Sequence, residues 1–258
     1  MALPGVSKEF GRHLPSAAVL ALFTLVVGAL WVLTVATSTD LGSVLMVQLG
    51  GIDPVSRLSF LALVGVMMGA MMLPAALPML DSYRGLASLD SNPREGSVRA
   101  GLFAGSYLLL WLAFTALALI VLLALGLMGT IGGWGLYVPG GLLVVAGVYQ
   151  FSSWKRYCLS NCRTPTGFIM EHWRGGRSGA VRMGLSHGLF CLGCCWVLML
   201  VVFVTGAMSL LWMAGFSALV LIEKVWSRGE GFAKLLGAAA AVGGIGALVV
   251  VGLSVGVP

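Results

Sequence analysis

The sequence of residues 100–127 is AGLFAGSYLLLWLAFTALALIVLLALGL, an apolar run without a single charged side chain. A helix needs about 20 apolar residues to cross the hydrocarbon core of a bilayer. This run is long enough to span a membrane, with residues to spare for tilting or for extension past the lipid. The segment therefore predicts a membrane helix.

Further apolar runs on both sides of this segment bring the predicted number of spans to seven. The runs cover residues 16–37, 58–80, 100–127, 135–153, 183–205, 207–222 and 233–256. The sixth run is short and follows the fifth after a very tight turn. We therefore predict an all-α fold, a polytopic bundle of about seven transmembrane helices that forms a single domain over residues 1–258.

The composition excludes the common soluble classes of protein. Residues of the set AVILMFWYC make up 59% of the 258 residues, and only 15 basic and 9 acidic side chains carry charge. So few charges could not cover a water-soluble protein of 26.9 kDa. Five cysteines do not indicate an extracellular disulfide framework. The net charge of +6 lies on no soluble basic module, so we predict the lipid bilayer, and no nucleic acid, as a partner.

The basic residues predict the orientation of the spans, since Lys and Arg resist translocation during insertion. Fourteen of them lie at the N-terminus or in the loops 81–99, 154–182 and 223–234, and Arg57 alone lies on the other side. The N-terminus is therefore expected in the cytoplasm. With seven spans, the C-terminus is expected outside.

The fifth span contains the densest group of side chains that can bind a metal. One imidazole and three thiols occur within nine residues, at His187, Cys191, Cys194 and Cys195. Residues three, four and seven apart share a helix face, so His187, Cys191 and either Cys194 or Cys195 can point the same way. Thiolate and imidazole bind soft or borderline ions such as Cu(I), Zn(II) and Hg(II). The alternative is that these cysteines are small apolar residues that only pack.

The second span contains two interleaved methionine pairs. Met67 and Met71 are four residues apart, as are Met68 and Met72. A thioether is a neutral soft donor that can hold Cu(I) without burying an anion, although methionine also fills gaps in apolar cores. Both this cluster and the cysteines of the fifth span lie near the middle of their spans. Contact between the two spans is a hypothesis at this stage.

A third candidate site lies just past the fourth span. Cys158 and Cys162 share a face if a helix persists until Pro165 stops it. In the reducing cytosol such a pair indicates a metal receiver or a redox couple rather than a structural disulfide. Neighbouring basic residues such as Lys155 and Arg156 are expected to favour the thiolate form.

Two ionisable residues, Glu223 and Lys224, close the sixth span. A Glu–Lys pair at such an edge is ordinarily a solvated helix end. If the span is drawn further into the membrane, Glu223 becomes a candidate ligand for a proton or a metal ion.

Several blocks of this sequence resemble a bacterial family known as predicted metal-binding integral membrane proteins. The resembling blocks are Met67–Pro74, Ala146–Gln150, Lys155–Pro165, Cys191–Trp196 and Glu223–Lys224. The resemblance implies metal binding and a multi-pass location in the bacterial inner membrane. It supplies no reaction.

These patterns favour a membrane protein that binds and handles a soft metal ion, with Cu(I) first and zinc or another soft metal as alternatives. Transport, delivery and storage remain open, with a metallochaperone or a membrane cuproenzyme as the expected partner. A membrane copper oxidoreductase, or an accessory subunit of one, is a second interpretation, and a thiol–disulfide relay is a third. No nucleotide-binding loop occurs, and the patterns favour a metal-binding or transport protein over an enzyme.

Overall fold

The computed structural model describes residues 54–125, 137–206, 210–226 and 228–255, together with Leu25, residues 27–30 and Val32. Most of the predicted first span, residues 16–37, lies outside the described residues. From residue 54 onward the described chain is helical, and these ranges contain no strand. The helices are α1 (Pro54–Asp90), α2 (Pro93–Ala124), α3 (Tyr137–Tyr149), α4 (Ser153–Arg163), α5 (Pro165–His172), α6 (Gly176–Gly206), α7 (Leu210–Val225) and α8 (Gly229–Val255).

Six of the described helices overlap the second to seventh predicted apolar runs, with shifted ends. Helix α1 continues past residue 80 to Asp90, although Pro74 and Pro78 lie inside it. Helix α6 begins at Gly176, earlier than predicted, and α3 has only 13 residues. Among the described residues, three helices are long and apolar enough to cross a membrane: α2, α6 and α8. The fold is therefore all-α, with three candidate membrane-spanning helices.

The segment 154–182, expected to be a loop, contains two helices. Ser152 caps α4 by accepting a hydrogen bond from the backbone N–H of Lys155 at 3.1 Å. Helix α4 ends at Arg163, and Pro165 begins α5, where its missing N–H costs no hydrogen bond. Because one face of α4 is apolar and buried, this segment packs against α6 and joins the core.

The bundle is built around α6. Helices α2, α3, α4 and α7 all pack against α6, while α1 packs against α2 and α7. Helix α8 lies on the outside of α3, where glycines allow a close approach. The main core is formed by side chains of α1, α2, α6 and α7 together with both cysteines of α4. A second, smaller core lies between α1, α2, α5 and α6.

Three of the segments predicted to be cytoplasmic meet at one end of the bundle. Arg177, at the start of α6, donates two hydrogen bonds of 3.0 Å to the carboxylate of Glu95 in α2. Arg163, at the end of α4, donates to the backbone carbonyl of Trp226, beyond α7. These contacts join the segments 81–99, 154–182 and 223–234, which carry most of the basic residues.

Candidate metal site

Cys191 is fully buried in α6, and its sulfur is surrounded by hydrogen-bond donors. The ammonium of Lys224 in α7 donates to Sγ at 2.8 Å, and the hydroxyl of Tyr107 in α2 lies 3.0 Å from the same sulfur. The thiol of Cys162 in α4 also hydrogen-bonds to it. A charge-assisted hydrogen bond from a buried ammonium stabilises a thiolate. The surroundings of Cys191 therefore favour its thiolate form, with Tyr107 and Cys162 as further hydrogen-bond donors to the sulfur.

Cys194 and Cys195 lie one turn further along α6 and are both buried. Each thiol donates to the backbone carbonyl of Cys191 at 3.0 Å. Both sulfurs are thus held on the same side of the helix as Cys191. The sequence alone left open which of the two faces this way.

The two cysteines of α4 are brought into this cluster, which a single sequence could not show. Both are buried, and a methyl group built on Gly193 of α6 would lie 2.6 Å from the sulfur of Cys158. Hydrogen bonding to Cys191 and Cys194, together with burial, raises the pKa of the Cys162 thiol, which keeps it a proton donor. Five cysteines therefore meet at the junction of α4 and α6.

The expected thiolate character of Cys158 is wrong. Burial raises the pKa of its thiol to about 11, with the nearby Cys194 as a second cause. The basic neighbours do not compensate, because Lys155 binds Glu223 at 2.8 Å and Arg156 donates to Ser153. The cation that serves the cluster is Lys224, from a distant part of the sequence.

His187 lies one turn before Cys191, enclosed by aromatic rings. Its ring is stacked on Tyr107 with centroids 5.7 Å apart, and the rings of Phe103 and Phe168 are within 6 Å. Nδ1 is buried and has no hydrogen-bond partner. A buried ring nitrogen without a partner is unfavourable unless a ligand or a water satisfies it.

The four methionines of the second predicted span, Met67, Met68, Met71 and Met72, are all buried in α1. They belong to the same continuous core as the cysteines of α6. The backbone of Met71 accepts a hydrogen bond of 3.1 Å from Ser217 in α7, the helix that also carries Lys224. Protein therefore covers these side chains, which excludes a lipid-facing methionine stripe.

Glu223 and Lys224 do not form a solvated helix end, since they are 1% and 6% exposed. The two residues point to different partners. The Glu223 carboxylate receives hydrogen bonds from Lys155 at 2.8 Å and Gln150 at 3.1 Å, whereas Lys224 reaches Cys191. The carboxylate of Glu223 is therefore bound by one ammonium group and one amide group in this structure.

The donor set fits a soft ion. No group of three or more His, Cys, Asp and Glu side chains within the described ranges is arranged to hold a metal ion. The thiols instead donate to Cys191 and to its carbonyl, so their S–H groups must turn inward and lose protons before they bind a metal. One stabilised thiolate, four neighbouring thiols and an unpartnered imidazole provide the ligands that Cu(I) prefers.

Sequence reasoning missed Tyr107 and the role of Lys224. Tyr107 sits in the middle of an apolar span, and a buried tyrosine hydroxyl ordinarily has a partner. Lys224 ends an apolar run. An ionisable group inside a membrane ordinarily pairs with another polar or charged group. This expectation could have singled out Lys224 from the sequence.

The comparison with protein families agrees with this chemistry. A family model described as a copper chaperone, PpoB2, matches residues 61–247, well over half of the chain. No curated protein and no solved structure matches the chain. The matched range contains the methionines of α1, all five cysteines, His187 and Lys224. The chain therefore belongs to the PpoB2 family of copper chaperones.

Proposed function

We propose that this protein is a membrane-embedded copper chaperone that binds Cu(I) at Cys191 with Cys162, Cys194, Cys195 and His187. The bound ion is passed on to a cuproenzyme in or beside the membrane, or exchanged with a soluble metallochaperone. Copper is the cargo here and is not a resident cofactor.

One observation carries this proposal: a buried sulfur that accepts hydrogen bonds from an ammonium, a phenol and a thiol at the meeting point of α2, α4, α6 and α7. Apolar packing alone does not account for a buried, stabilised anion. A monovalent soft cation neutralises such an anion, and the family match names the metal.

The methionine cluster of α1 is proposed as a second binding site for the ion, with lower affinity. Thioethers are neutral, so Cu(I) bound there keeps its positive charge and is held less firmly than at a thiolate. Because Met67, Met68, Met71 and Met72 share one core with the thiols, transfer between the two groups needs no passage through solvent or lipid.

Elemental analysis of detergent-purified protein tests the proposal. Wild-type protein loaded with Cu(I) under reducing conditions is expected to retain about one copper per chain, and the Cys191→Ser, Cys194→Ser, Cys195→Ser triple variant is expected to lose it. Equal copper in both proteins, or none in the wild type, would contradict the proposal.

We further propose the seven-span arrangement in the inner membrane, with a cytoplasmic N-terminus and an external C-terminus. The meeting of three basic segments at one end of the bundle supports it. Reporter fusions within 154–182 and after Pro258 are expected to report opposite sides. Both reporters on one side would overturn this topology.

A thiol–disulfide relay is the second candidate function, because the hydrogen bonds of Cys162 to Cys191 and Cys194 bring sulfurs of two helices together. None of the five cysteines forms a disulfide in this structure. Mild oxidation followed by mass spectrometry separates the two functions. A relay predicts rapid formation of a disulfide between α4 and α6, which bound Cu(I) would block under the chaperone proposal.

A further inference from the structure

A cavity of about 290 Å³ opens at the basic end of the bundle, between α5 and the first turns of α6. Its wall includes two side chains with soft donor atoms, His172 and Met183, next to charged groups of Glu171, Arg174 and Arg182. The residues of α6 that line the cavity begin about two turns before the thiol cluster on the same helix. None of its residues belongs to the site described above.

His172 has the geometry of a metal-binding imidazole. Its Nδ1 lies 3.1 Å from the backbone carbonyl of Phe168. Because a carbonyl can only accept, Nδ1 carries a proton, and Nε2 is the ring nitrogen that is left to bind a metal ion. Histidine ligands in proteins are commonly oriented by this kind of hydrogen bond to a backbone carbonyl.

Met183 is the second residue with a soft donor atom among those that line the cavity. The side chain is buried, and Sδ accepts a hydrogen bond of 3.4 Å from the backbone N–H of Arg174, which also lines the cavity. A thioether fixed in this way needs little reorganisation to bind a soft ion that arrives in the cavity.

From Met183, soft donors continue along one face of α6 into the protein. Met183, His187 and Cys191 are spaced by four residues each, so they lie one above another on the same helix face. The ring of Phe168 contacts both histidines, with centroid distances of 4.6 Å to His172 and 5.4 Å to His187. The aromatic contacts of Phe168 thus connect a residue of the cavity wall to His187, whose Nδ1 has no hydrogen-bond partner.

We propose that this cavity is the loading site for copper, where His172 and Met183 first hold Cu(I) and pass it by ligand exchange to His187 and Cys191. The inference rests on the proposed chaperone function and assigns its point of access. The copper stays Cu(I) throughout. Its bonds to His172 Nε2 and Met183 Sδ break as bonds to the His187 imidazole and Cys191 Sγ form, and the ammonium of Lys224 leaves the sulfur.

The rate of loading tests this proposal separately from binding at equilibrium. Cu(I) is added as its acetonitrile complex to reduced protein in detergent without oxygen, and the ultraviolet thiolate-to-copper charge-transfer band is followed by stopped flow. Met183→Leu and His172→Ala are each expected to slow the rise of the band by about tenfold, as for the loss of one modest ligand contact. The final amplitude should equal that of the wild type.

Met79→Leu is the matched control, since Met79 is equally buried in the same small core but lies on α1, away from the cavity wall. It is expected to load at the wild-type rate. If both cavity variants load as fast as this control, or if either loses final amplitude, the loading site is wrong while the thiol site stands. If the wild type develops no band, the proposed function itself fails and the loading site fails with it.

Discussion

Lys224 is the residue on which the chemistry of the site depends most. It is 6% exposed, and its ammonium hydrogen-bonds to Cys191. A charge in such a place is unfavourable unless a partner of opposite charge is present, so the lysine and the sulfur stabilise each other's ionised forms. Under the proposed function, Cu(I) takes the place of the ammonium at that sulfur.

We expect Lys224→Met to remove the thiolate of Cys191 at neutral pH, because methionine fills the same space without charge. The measurement is the ultraviolet absorbance of thiolate in metal-free protein. Lys234→Met is the control, since Lys234 lies on the exposed side of α8. An unchanged thiolate signal in the Lys224 variant would show that the ammonium does not set the charge of Cys191.

At the level of residues, the sequence indicated the candidate ligands by their type and spacing, but it did not indicate their hydrogen-bond partners. The cysteines, His187 and the methionines stand out by type and spacing. The cation for Cys191 could not be identified in this way, because it comes from α7, 33 positions away in sequence. The basic residues near Cys158 were expected to favour a thiolate in α4 itself, but Lys155 is turned toward Glu223.

Helix α4 is the element that closes the site. It brings Cys158 and Cys162 against α6, and a buried ion pair between Lys155 and Glu223 holds it to α7. Gln150, just before α4, binds the same carboxylate. The position of α4 therefore depends on two buried charges rather than on apolar packing alone.

Glu223→Gln is expected to loosen α4, because it leaves the ammonium of Lys155 buried without its counter-charge. Removing one member of a buried pair ordinarily destabilises by about 3–5 kcal/mol. Alkylation of Cys162 in a Cys158→Ser background should become faster, and Glu230→Gln, at an exposed position, should leave the rate unchanged. Equal rates in all three proteins would mean that the ion pair does not hold α4.

The glycines of α3 and α8 show how much of the close packing between two helices can be predicted from sequence. Small residues inside apolar helices ordinarily allow close packing, and in these two helices they include Gly140, Gly141, Gly243, Gly244 and Gly246. Gly140 and Gly244 do face the other helix, whereas Gly141, Gly243 and Gly246 have open space. Since the pattern does not reveal the rotation of each helix, only part of the set could be placed.

Gly147→Ala is expected to separate α3 from α8, since its methyl group would lie 2.6 Å from backbone atoms of Gly237 and Ala241. Backbone cannot give way as a flexible side chain does, so a loss of roughly 1–3 kcal/mol is expected. Thermal unfolding in detergent measures it, with Gly243→Ala as the control in open space. A stability equal to that of the control would rule out this tight contact.

Across the described part of the molecule, several ionisable side chains are buried in the apolar core, while many large apolar side chains are exposed. Buried positions include His187, Lys155, Glu223 and Lys224, while α8 exposes large apolar side chains such as Val242. This arrangement suits a lipid environment, in which polar groups pair with one another inside the bundle. The apolar runs predicted the all-α class, which is confirmed for the described residues, and three of the described helices are long and apolar enough to span a membrane. The assembly of α1, α4, α6 and α7 around one sulfur depends on tertiary contacts that a single sequence does not reveal.

X-ray absorption at the copper edge of the purified, Cu(I)-loaded protein tests the central claim most directly. We expect a first shell dominated by sulfur, with copper–sulfur distances of about 2.3 Å, and a loss of sulfur scattering in the Cys191→Ser variant. A first shell made only of oxygen and nitrogen, or a spectrum unchanged by Cys191→Ser, would contradict the claim that the buried thiolate of α6 is the copper site.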